Sequence, residues 1–525
     1  MIGKSKQRCS EAILGALAIV LQLACGEVSE QETDYPKTVN EPLPALLDAG
    51  VPSDIAAVTT LEPVDANSAG TGTANATPSP SAAGSAAPAP SGDVPTPPTA
   101  APMPVYTTSY HRDIRPIIEN ACLDCHVSGG AASLALDNWK AVNLAAGNIV
   151  EAVATGVMPP WPADAACHSL RDTRVLPPEA RDVFVRWRDE NFPEGKAADY
   201  RPLRAAAKPD IGLATLTLGA DKPYTPPVGA DNYRCFVTSY VFAKDTYVRA
   251  IDVLPEQRSE VVDVQVHIMT PEQRAQLDTV DFLSAVSGYS CNLGLTVTQN
   301  MFSWRPGGSR IAFDAGDAMH VPSGSSIMLQ VHYNTQFLPP DTEPTPDNSK
   351  VQLWTMPDGE LPDRLIYRQM LLVPLLGVPA GNPRYVAEAT IPFSELAVVG
   401  PTGKYIPGEV IGMTPNAQQF ASEMNAKLIA EGTNAQQCLI NVPNWQFGFQ
   451  LDYLYEDAVP YAPGDSLRAS CVYDNSPEHQ PFIDGVRQPP KRVAFGEASA
   501  NEMCVHYVWL RMDRHEFLGL LPNAR

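Results

Sequence analysis

The clearest chemistry in the sequence lies in one short run, Cys122-Leu123-Asp124-Cys125-His126. Two cysteines three positions apart can each form a thioether with a haem vinyl group, and a histidine directly after the second can ligate the iron. A small disulfide loop and half of a zinc site are the alternatives. A zinc site would need a second pair of Cys or His residues at short spacing, and none appears. The spacing therefore predicts covalent attachment of haem c.

Two helical segments flank this motif and bracket the residues that could complete the iron coordination. Residues 109–121 carry apolar side chains at helical spacing, and residues 177–192 open on proline and repeat apolar side chains in the same way. Between them, Met158 precedes two prolines that fix its loop and remove backbone donors. Thioether ligation raises the reduction potential of a haem and suits electron transfer. Met158 is the predicted sixth ligand of the iron, and His168 and His111 are the alternative ligands. If Met158 is not a ligand, we expect it to pack in the core of this region.

The region from residue 105 to residue 200 resembles the cytochrome c family. The resemblance is carried by the CLDCH motif and supported by the Met-Pro-Pro run that begins at Met158. It implies a small all-α domain with haem c bound covalently through Cys122 and Cys125. It also implies that His126 and Met158 are the two axial ligands of the iron.

The N-terminal part of the chain predicts export and a tether. Three basic residues precede an apolar run at residues 12–24, which is too short to span a membrane and is followed directly by Cys25. We interpret residues 1–24 as a signal peptide, and LACG resembles a lipoprotein cleavage box, with plain cleavage as the alternative. Residues 25–104 become rich in Pro, Ala, Ser and Thr and cannot bury enough apolar surface to fold. We expect a periplasmic protein, or a lipoprotein of the outer membrane or cell surface.

The negative charge of the chain bears on which classes of partner it could bind. A formal net charge of −22 and a pI near 4.8 argue against nucleic acid or an anionic membrane surface. After the N-terminal run, no segment has 18 consecutive apolar residues, so contact with a membrane would be through the lipid alone. At 525 residues the chain has room for several domains.

From residue 230 onward the sequence has the pattern of an all-β protein. Short runs rich in Val, Ile, Tyr and Phe alternate with Gly, Pro, Asn and Asp turns, as in VVDVQVHIM and SSIMLQVHYN. After a proline-rich linker at 201–229, we expect two antiparallel sandwiches, at residues 230–345 and 346–515.

The cysteines of this β region predict disulfides, because the chain is expected to be exported. The five that follow residue 230 are Cys235, Cys291, Cys438, Cys471 and Cys504. Because their number is odd, one of them either stays free or pairs with Cys167, which has no evident partner near the haem motif.

An ordered series of short motifs runs through the β region. In chain order the main ones are YRCF at 233, VV at 261, WRPG at 304, GSSIMLQVHYN at 324, WQF at 445, CVYDNS at 471 and EMC at 502. The series resembles the copper type II, ascorbate-dependent monooxygenases, the group of peptidylglycine α-hydroxylating and dopamine β-monooxygenases, over about residues 231–512. The resemblance implies two jelly-roll-like domains that face a cleft and hold one copper each. One copper would pass an electron, and the other would bind oxygen and hydroxylate a C–H bond.

The copper ligands that this resemblance implies are only partly present. His332 matches the single later histidine of the electron-transfer copper, and Met503 matches the methionine of the oxygen-binding copper. Asn416 and Gln418 stand where the family has two imidazoles at the oxygen-binding copper. Amide oxygens are hard ligands that stabilise Cu(I) poorly. The alternative role for Met503 and His332 is packing within the β core.

The electron-transfer copper also lacks its adjacent histidine pair, because Val261-Val262 stands at that place. On the same strand, Asp263 and His267 share a face, since side chains alternate along a strand. Together with His332 they could form an improvised copper site.

Two functions follow from these observations. In the first, the chain is an exported oxidoreductase whose haem c feeds electrons to a copper-dependent monooxygenase pair acting on a small organic or peptide substrate. This first function is the predicted one, with a hydroxylating module that lacks most of its copper ligands. The second is the alternative, an electron-transfer cytochrome that carries a copper-free binding or docking module. Both functions need a redox partner protein or a small reductant, and neither needs nucleic acid.

Overall fold

The computed structural model of the protein describes residues 107–515, except for 131, 133, 204–210, 230, 283–285, 292–298, 337, 339–340, 397–406, 434, 463 and 484. The predicted signal peptide and tether lie outside the described residues. None of the described helices is long and apolar enough to cross a membrane.

Most of the helices form one region, residues 107–203, which we call the helical region. They are α1 (Arg115–Ala121), α2 (Trp139–Leu144), α3 (Ala146–Ala154) and α4 (Pro178–Asp189), with a π-helical turn at Tyr110–Ile114 and a 3-10 turn at Ala197–Asp199. Proline is tolerated at the start of α4 because the first helical N–H groups have no partner within a helix. Phe184 and Trp187 of α4 are completely buried against α3 and the π-helical turn. α1 ends directly before Cys122.

The rest of the described chain consists mainly of strands. They are β1 (Leu216–Gly219), β2 (Asn232–Val241), β3 (Thr246–Leu254), β4 (Val261–Met269), β5 (Tyr289–Ser290), β6 (Gln299–Trp304), β7 (Ile311–Ala312), β8 (Asp317–Val321), β9 (Ser326–Tyr333), β10 (Lys350–Thr355), β11 (Arg364–Leu372), β12 (Tyr385–Pro392), β13 (Gly408–Asn416), β14 (Ala421–Ile429), β15 (Gln436–Val442), β16 (Tyr453–Tyr461), β17 (Ser466–Tyr473), β18 (Phe482–Ile483), β19 (Val486–Arg487) and β20 (Val505–Asp513). Two helices interrupt them, α5 (Pro271–Phe282) and α6 (Phe393–Leu396), along with a 3-10 turn at Pro477–His479.

The three larger sheets form two sandwich-like cores, because the nine-stranded sheet packs against each of the other two. The five-stranded sheet has the order β5-β2-β9-β4-β6, the four-stranded sheet has the order β12-β17-β14-β15, and the nine-stranded sheet has the order β1-β10-β3-β8-β11-β20-β13-β16, with β7 paired to β3. Val264 and Leu329 of the five-stranded sheet share an apolar core with Val248 of the nine-stranded sheet. Met424 of the four-stranded sheet shares a second core with Val410 of the nine-stranded sheet. The sandwich-like β architecture predicted from the sequence is thus confirmed.

The nine-stranded sheet crosses the predicted domain boundary at residue 345. β8 pairs in parallel with β11, so strands from both sides of the boundary belong to one sheet. β10, which the sequence assigned to the second sandwich, lies between β1 and β3 in the first half of that sheet, and β1 itself lies in the predicted linker. Alternating apolar residues locate a strand but do not identify its neighbour, because pairing depends on tertiary contacts.

The helical region is bound to the β region by a disulfide and by backbone pairing. Cys167 is bonded to Cys438, so the odd cysteine of the β region does pair with it. Leu170 forms an isolated antiparallel bridge with Tyr455 of β16. Residues 169–171 therefore pair briefly with the edge strand of the nine-stranded sheet.

Two further disulfides lie within the β region. One joins Cys235 to Cys291, and the other joins Cys471 to Cys504. The expectation of disulfides is confirmed for all five cysteines that follow residue 230.

Candidate functional site

The CLDCH motif follows directly after α1 and keeps both of its cysteines unpaired. Cys122 and Cys125 are free, whereas every other cysteine in the described residues belongs to a disulfide. Burial raises the pKa of the Cys122 thiol to about 12 and raises that of Cys125 as well, so both are neutral thiols near neutral pH. His126 Nδ1 lies 2.8 Å from the carbonyl oxygen of Leu134. Because a carbonyl oxygen only accepts, Nδ1 carries the proton and Nε2 keeps a lone pair for a metal.

The three candidates for a second iron ligand have different surroundings. Met158 is half-buried in the loop after α3. His168 is held at the contact with the β region, where its Nε2 lies 2.9 Å from the carbonyl oxygen of Asp457. His111 Nε2 lies 3.5 Å from a carboxylate oxygen of Glu194. Each of these imidazoles, like that of His126, has one ring nitrogen engaged, so the contacts do not rank the three candidates.

A tight turn of the β region lies against the CLDCH motif. It covers residues 305–308, and we call it the RPGG turn; the N–H of its last residue donates to the carbonyl oxygen of its first at 2.6 Å. Proline at its second position and Gly307 with a φ of +85° at its third fit a type II turn. A Cβ on Gly307 would lie 3.1 Å from Cys125 Sγ and 2.8 Å from Nη1 of Arg174. Glycine therefore allows the turn to approach the motif closely.

A cleft with a volume of about 210 Å³ opens between the five-stranded and nine-stranded sheets. The positions that the sequence analysis considered for copper all line it: Asp263, His267, His332, Asn416, Gln418 and Met503. They come from distant parts of the chain, so the fold brings them to one place. They do not, however, form one set of metal ligands.

Arg305, the first residue of the RPGG turn, joins two of these positions. Its Nη2 lies 2.7 Å from Oδ2 of Asp263 and 3.3 Å from Oδ1 of Asn416. The side chains of Arg305 and Asp263 are only 10% and 7% exposed, so solvent screens this ion pair weakly. A guanidinium thus takes the oxygen atoms that a metal ion would need.

The two histidines of the cleft are engaged separately. His332 Nε2 lies 3.1 Å from Oδ1 of Asp231, and its ring is stacked on that of Tyr233 with centroids 4.0 Å apart. His267 is buried, and burial lowers its pKa to about 4, so it is neutral at pH 7. Asp263 pairs across the sheet with His332, but His267 lies four residues further along the strand, about 13 Å from Asp263. The improvised copper site suggested by the sequence is therefore not assembled, because its three residues do not converge.

Arg368 adds a second fixed positive charge to the cleft. Its side chain is completely buried, with Nη2 3.4 Å from Oδ1 of Asp452 and its guanidinium carbon 3.8 Å from the centre of the Tyr507 ring. After burial, the charge of Arg368 is the next cause of the lowered pKa of His267. Because Arg305 and Arg368 are each paired with a carboxylate, an added metal cation would have to break an ion pair to bind Asp263 or Asp452.

Met503 has the surroundings of a packed side chain. It is 9% exposed and forms a small apolar cluster with Val505 and Tyr507. Its backbone is held by the buried carboxyl group of Glu502, whose pKa burial raises to about 8 and which accepts hydrogen bonds from the N–H groups of Met503 and Gln418 at 3.2 Å and 3.0 Å. The soft sulfur that copper would favour is thus present without imidazoles beside it.

The donor set of the cleft as a whole does not fit copper. One imidazole is paired with a carboxylate, another is distant, and two positions carry amides, while two arginines supply positive charge. Asp231, Arg305 and Arg368 were not predicted as site residues from the sequence. The Pro-Gly pair of the WRPG motif predicts a tight turn at the end of a strand, so the position of Arg305 at the start of a turn could have been predicted.

A separate group of possible metal ligands lies in the four-stranded and nine-stranded sheets. Among the described residues, only Cys471, Cys504 and His506 bring three such ligand atoms within 4.8 Å of one another. The two sulfur atoms are bonded to each other, so neither offers a thiolate. Burial lowers the pKa of His506 to about 4, and its Nε2 lies 3.9 Å from Cys471 Sγ. In the oxidised protein the Cys471–Cys504 disulfide therefore packs against the neutral imidazole of His506.

Comparisons with known proteins add little to this geometry. No protein-family model matches the chain, and no curated protein matches it. Among solved structures, it is similar to the major capsid protein P2 from bacteriophage PM2, with 9% identity, a TM-score of 0.23 and coverage of 57% of this chain and 97% of that one. It is also similar to broad bean stain virus, with 9% identity, a TM-score of 0.22 and coverage of 60% and 95%. Similarities this distant carry no argument about function.

Proposed function

We propose that the protein is an exported haem c electron-transfer protein whose β region is a copper-free binding or docking module. In this proposal the residues of the CLDCH motif hold the haem, and the cleft serves to bind a ligand or partner. The electron partner is a redox protein or a small reductant.

The availability of the CLDCH residues supports the haem part of the proposal. In a chain where the other described cysteines are oxidised in disulfides, Cys122 and Cys125 remain as thiols that can form thioethers. The carbonyl oxygen of Leu134 holds the imidazole of His126 in the tautomer that leaves Nε2 for iron. Met158 is the proposed second axial ligand. Bound haem c would supply one-electron redox chemistry, and a thioether ligand would raise its potential.

One observation carries the copper-free part of the proposal. Nη2 of Arg305 lies within 3.3 Å of oxygen atoms of both Asp263 and Asn416, in the cleft where copper ligands would be needed. A copper ion there would have to break a buried ion pair and then sit beside the released guanidinium. Losing even an outer partner of a metal ligand typically weakens affinity by about 10–100-fold.

The convergence of distant residues favours a second candidate function. His332 and Met503, which the monooxygenase resemblance assigns to different coppers, line the same cleft. In that case the haem would supply electrons to a copper-dependent hydroxylation of a small organic or peptide substrate.

Metal analysis of the purified soluble chain distinguishes the two candidates. The copper-free proposal expects one covalently bound haem iron per chain and no copper above trace level after incubation with copper and desalting. Two tightly held coppers per chain would overturn it in favour of the monooxygenase. Absence of a covalent haem spectrum would overturn both.

The axial ligands are tested by spectroscopy of single variants. Met158→Ala is expected to convert a low-spin haem spectrum to a high-spin one, because the sixth ligand is lost. His168→Ala serves as the control and should leave the spectrum unchanged. The reverse result would assign the sixth position to His168.

A further inference from the structure

The RPGG turn contacts both the CLDCH motif and the cleft. On one side, a Cβ at Gly307 would lie only 3.1 Å from Cys125 Sγ. On the other side, Arg305 forms the buried ion pair with Asp263 in the cleft. Two residues of backbone span at most about 7 Å, so the turn that contacts the haem-attachment sulfur also carries the arginine of the ion pair.

The turn is stiff, so a displacement at one end reaches the other. Its proline fixes one φ angle, its glycine adopts a φ of +85°, and a hydrogen bond of 2.6 Å closes it. A shift of Arg305 would therefore carry Gly307 with it, because the backbone between them has few alternative conformations.

Arg174 brings a charge to the same contact. Its Nη1 would lie 2.8 Å from a Cβ at Gly307, beside the sulfur of Cys125. A cation close to the haem disfavours the more positive ferric state and so favours reduction. A change in the position of Gly307 would move this charge relative to the haem.

We propose that the RPGG turn couples the cleft to the haem. A change at the Arg305–Asp263 ion pair displaces Gly307 and Arg174 at Cys125, and the one-electron reduction equilibrium of the haem shifts. The ligand that acts on the turn is a small molecule with a carboxylate or carbonyl oxygen, because such an oxygen competes with Asp263 for Arg305. By linkage, reduction of the haem changes the affinity for that ligand by the same factor. The inference rests on the proposed attachment of haem.

A pair of glycine variants tests the contact at Cys125. Gly307 and Gly359 both have a φ of +85°, but a Cβ at Gly359 meets no atom within 4 Å. The backbone strain of alanine is therefore the same at both, and only Gly307→Ala presses on the haem site. In potentiometric titrations of the full holoprotein, Gly307→Ala should change the equilibrium constant for haem reduction about tenfold, which is 59 mV for one electron. Gly359→Ala should change it less than twofold.

A second pair keeps the proposal testable if Gly307→Ala does not fold. Arg174→Gln removes the charge beside Cys125 and should lower the equilibrium constant for reduction severalfold. Arg186→Gln removes the same formal charge from an exposed position on α4 of the helical region and should leave the constant within twofold. Equal shifts from the two variants would contradict a specific role for Arg174.

A double-mutant cycle tests the coupling itself. Asp263→Asn releases Arg305 in the cleft and should shift the haem potential in the wild-type background. In the Gly307→Ala background the shift should differ at least twofold from the wild-type shift, because the added Cβ changes the contact through which the turn acts on Cys125. The proposal is overturned if both glycine variants keep covalent haem at the same potential, or if Asp263→Asn shifts both backgrounds equally. A wild-type chain without covalent haem would instead refute the proposed function.

Discussion

The CLDCH motif and the cleft both contain residues able to hold a redox centre, yet the protein surrounds them differently. In the motif, Cys122 and Cys125 are left unpaired, and His126 is oriented by a backbone carbonyl. In the cleft, Asp263 is paired with Arg305, and His332 is paired with Asp231. Residue type alone therefore does not indicate a cofactor site. The partners that a side chain already has decide whether it can serve a metal.

The largest effect is expected at the motif, where the comparison predicts complete loss of a cofactor. Replacing Cys122 and Cys125 together by serine removes both thioethers, so no covalent haem should remain after denaturation in acid acetone. Asp124→Asn, an exposed change between the two cysteines, should retain it. Covalent haem in the double serine variant would show that the attachment site lies elsewhere.

The next effect concerns the buried ion pair of Asp452 with Arg368, which lines the cleft. Arg368→Met leaves the buried carboxylate of Asp452 without its cation and should lower the free energy of unfolding by about 3–5 kcal/mol. The exposed pair of Arg384 and Glu423 offers a matched control, and Arg384→Met should cost less than about 1 kcal/mol. Denaturant titration measures both. Similar values for the two variants would mean that the cleft is wetter than the structure indicates.

A smaller effect follows from the neutral imidazole beside the Cys471–Cys504 disulfide. The pKa of His506 is about 4 in the folded protein and 6.5 in the reference state, so below pH 6.5 the unfolded chain binds a proton that the folded chain does not. Stability should fall as the pH drops from 6.5 to 4, by up to about 3 kcal/mol from this group. His506→Gln should make that slope shallower but not abolish it, because the pKa of His267 is lowered in the same way, and the exposed His479→Gln controls for the substitution itself. An unchanged slope in His506→Gln would contradict the assignment.

The smallest expected effect is a gain of function in the cleft. Asn416→His combined with Gln418→His supplies two imidazoles near Met503 and should tighten binding of Cu(I) by about 10–100-fold, as judged by competition with a chromogenic chelator. Adding Arg305→Ala should strengthen binding further, because the guanidinium no longer occupies the site. Tight copper binding by the wild-type chain would remove the difference between motif and cleft.

The sequence predicted the positions of helices and strands but not the contacts between residues on different elements. Helix boundaries near Pro178 and the strand content after residue 230 followed from periodicity and proline placement, which are local properties. His332 and Met503 line one cleft, although they are far apart in the sequence. The engagement of Asp263 by Arg305 joins residues on different elements, so no spacing pattern could reveal it. The continuous nine-stranded sheet was missed for the same reason.

The bond between Cys167 and Cys438 makes a covalent ring of the chain between them, with the two cysteines separated by 271 positions. This ring includes the whole first sandwich and the proline-rich connector that precedes it. A protease that cuts the connector opens the ring but releases no fragment, because the disulfide still holds the helical region to the β region. The proposed export would bring the protein to proteases after it has left the reducing cytosol. A nicked molecule would therefore keep its motif and its cleft in one particle, and only electrophoresis under reducing conditions would reveal the cut.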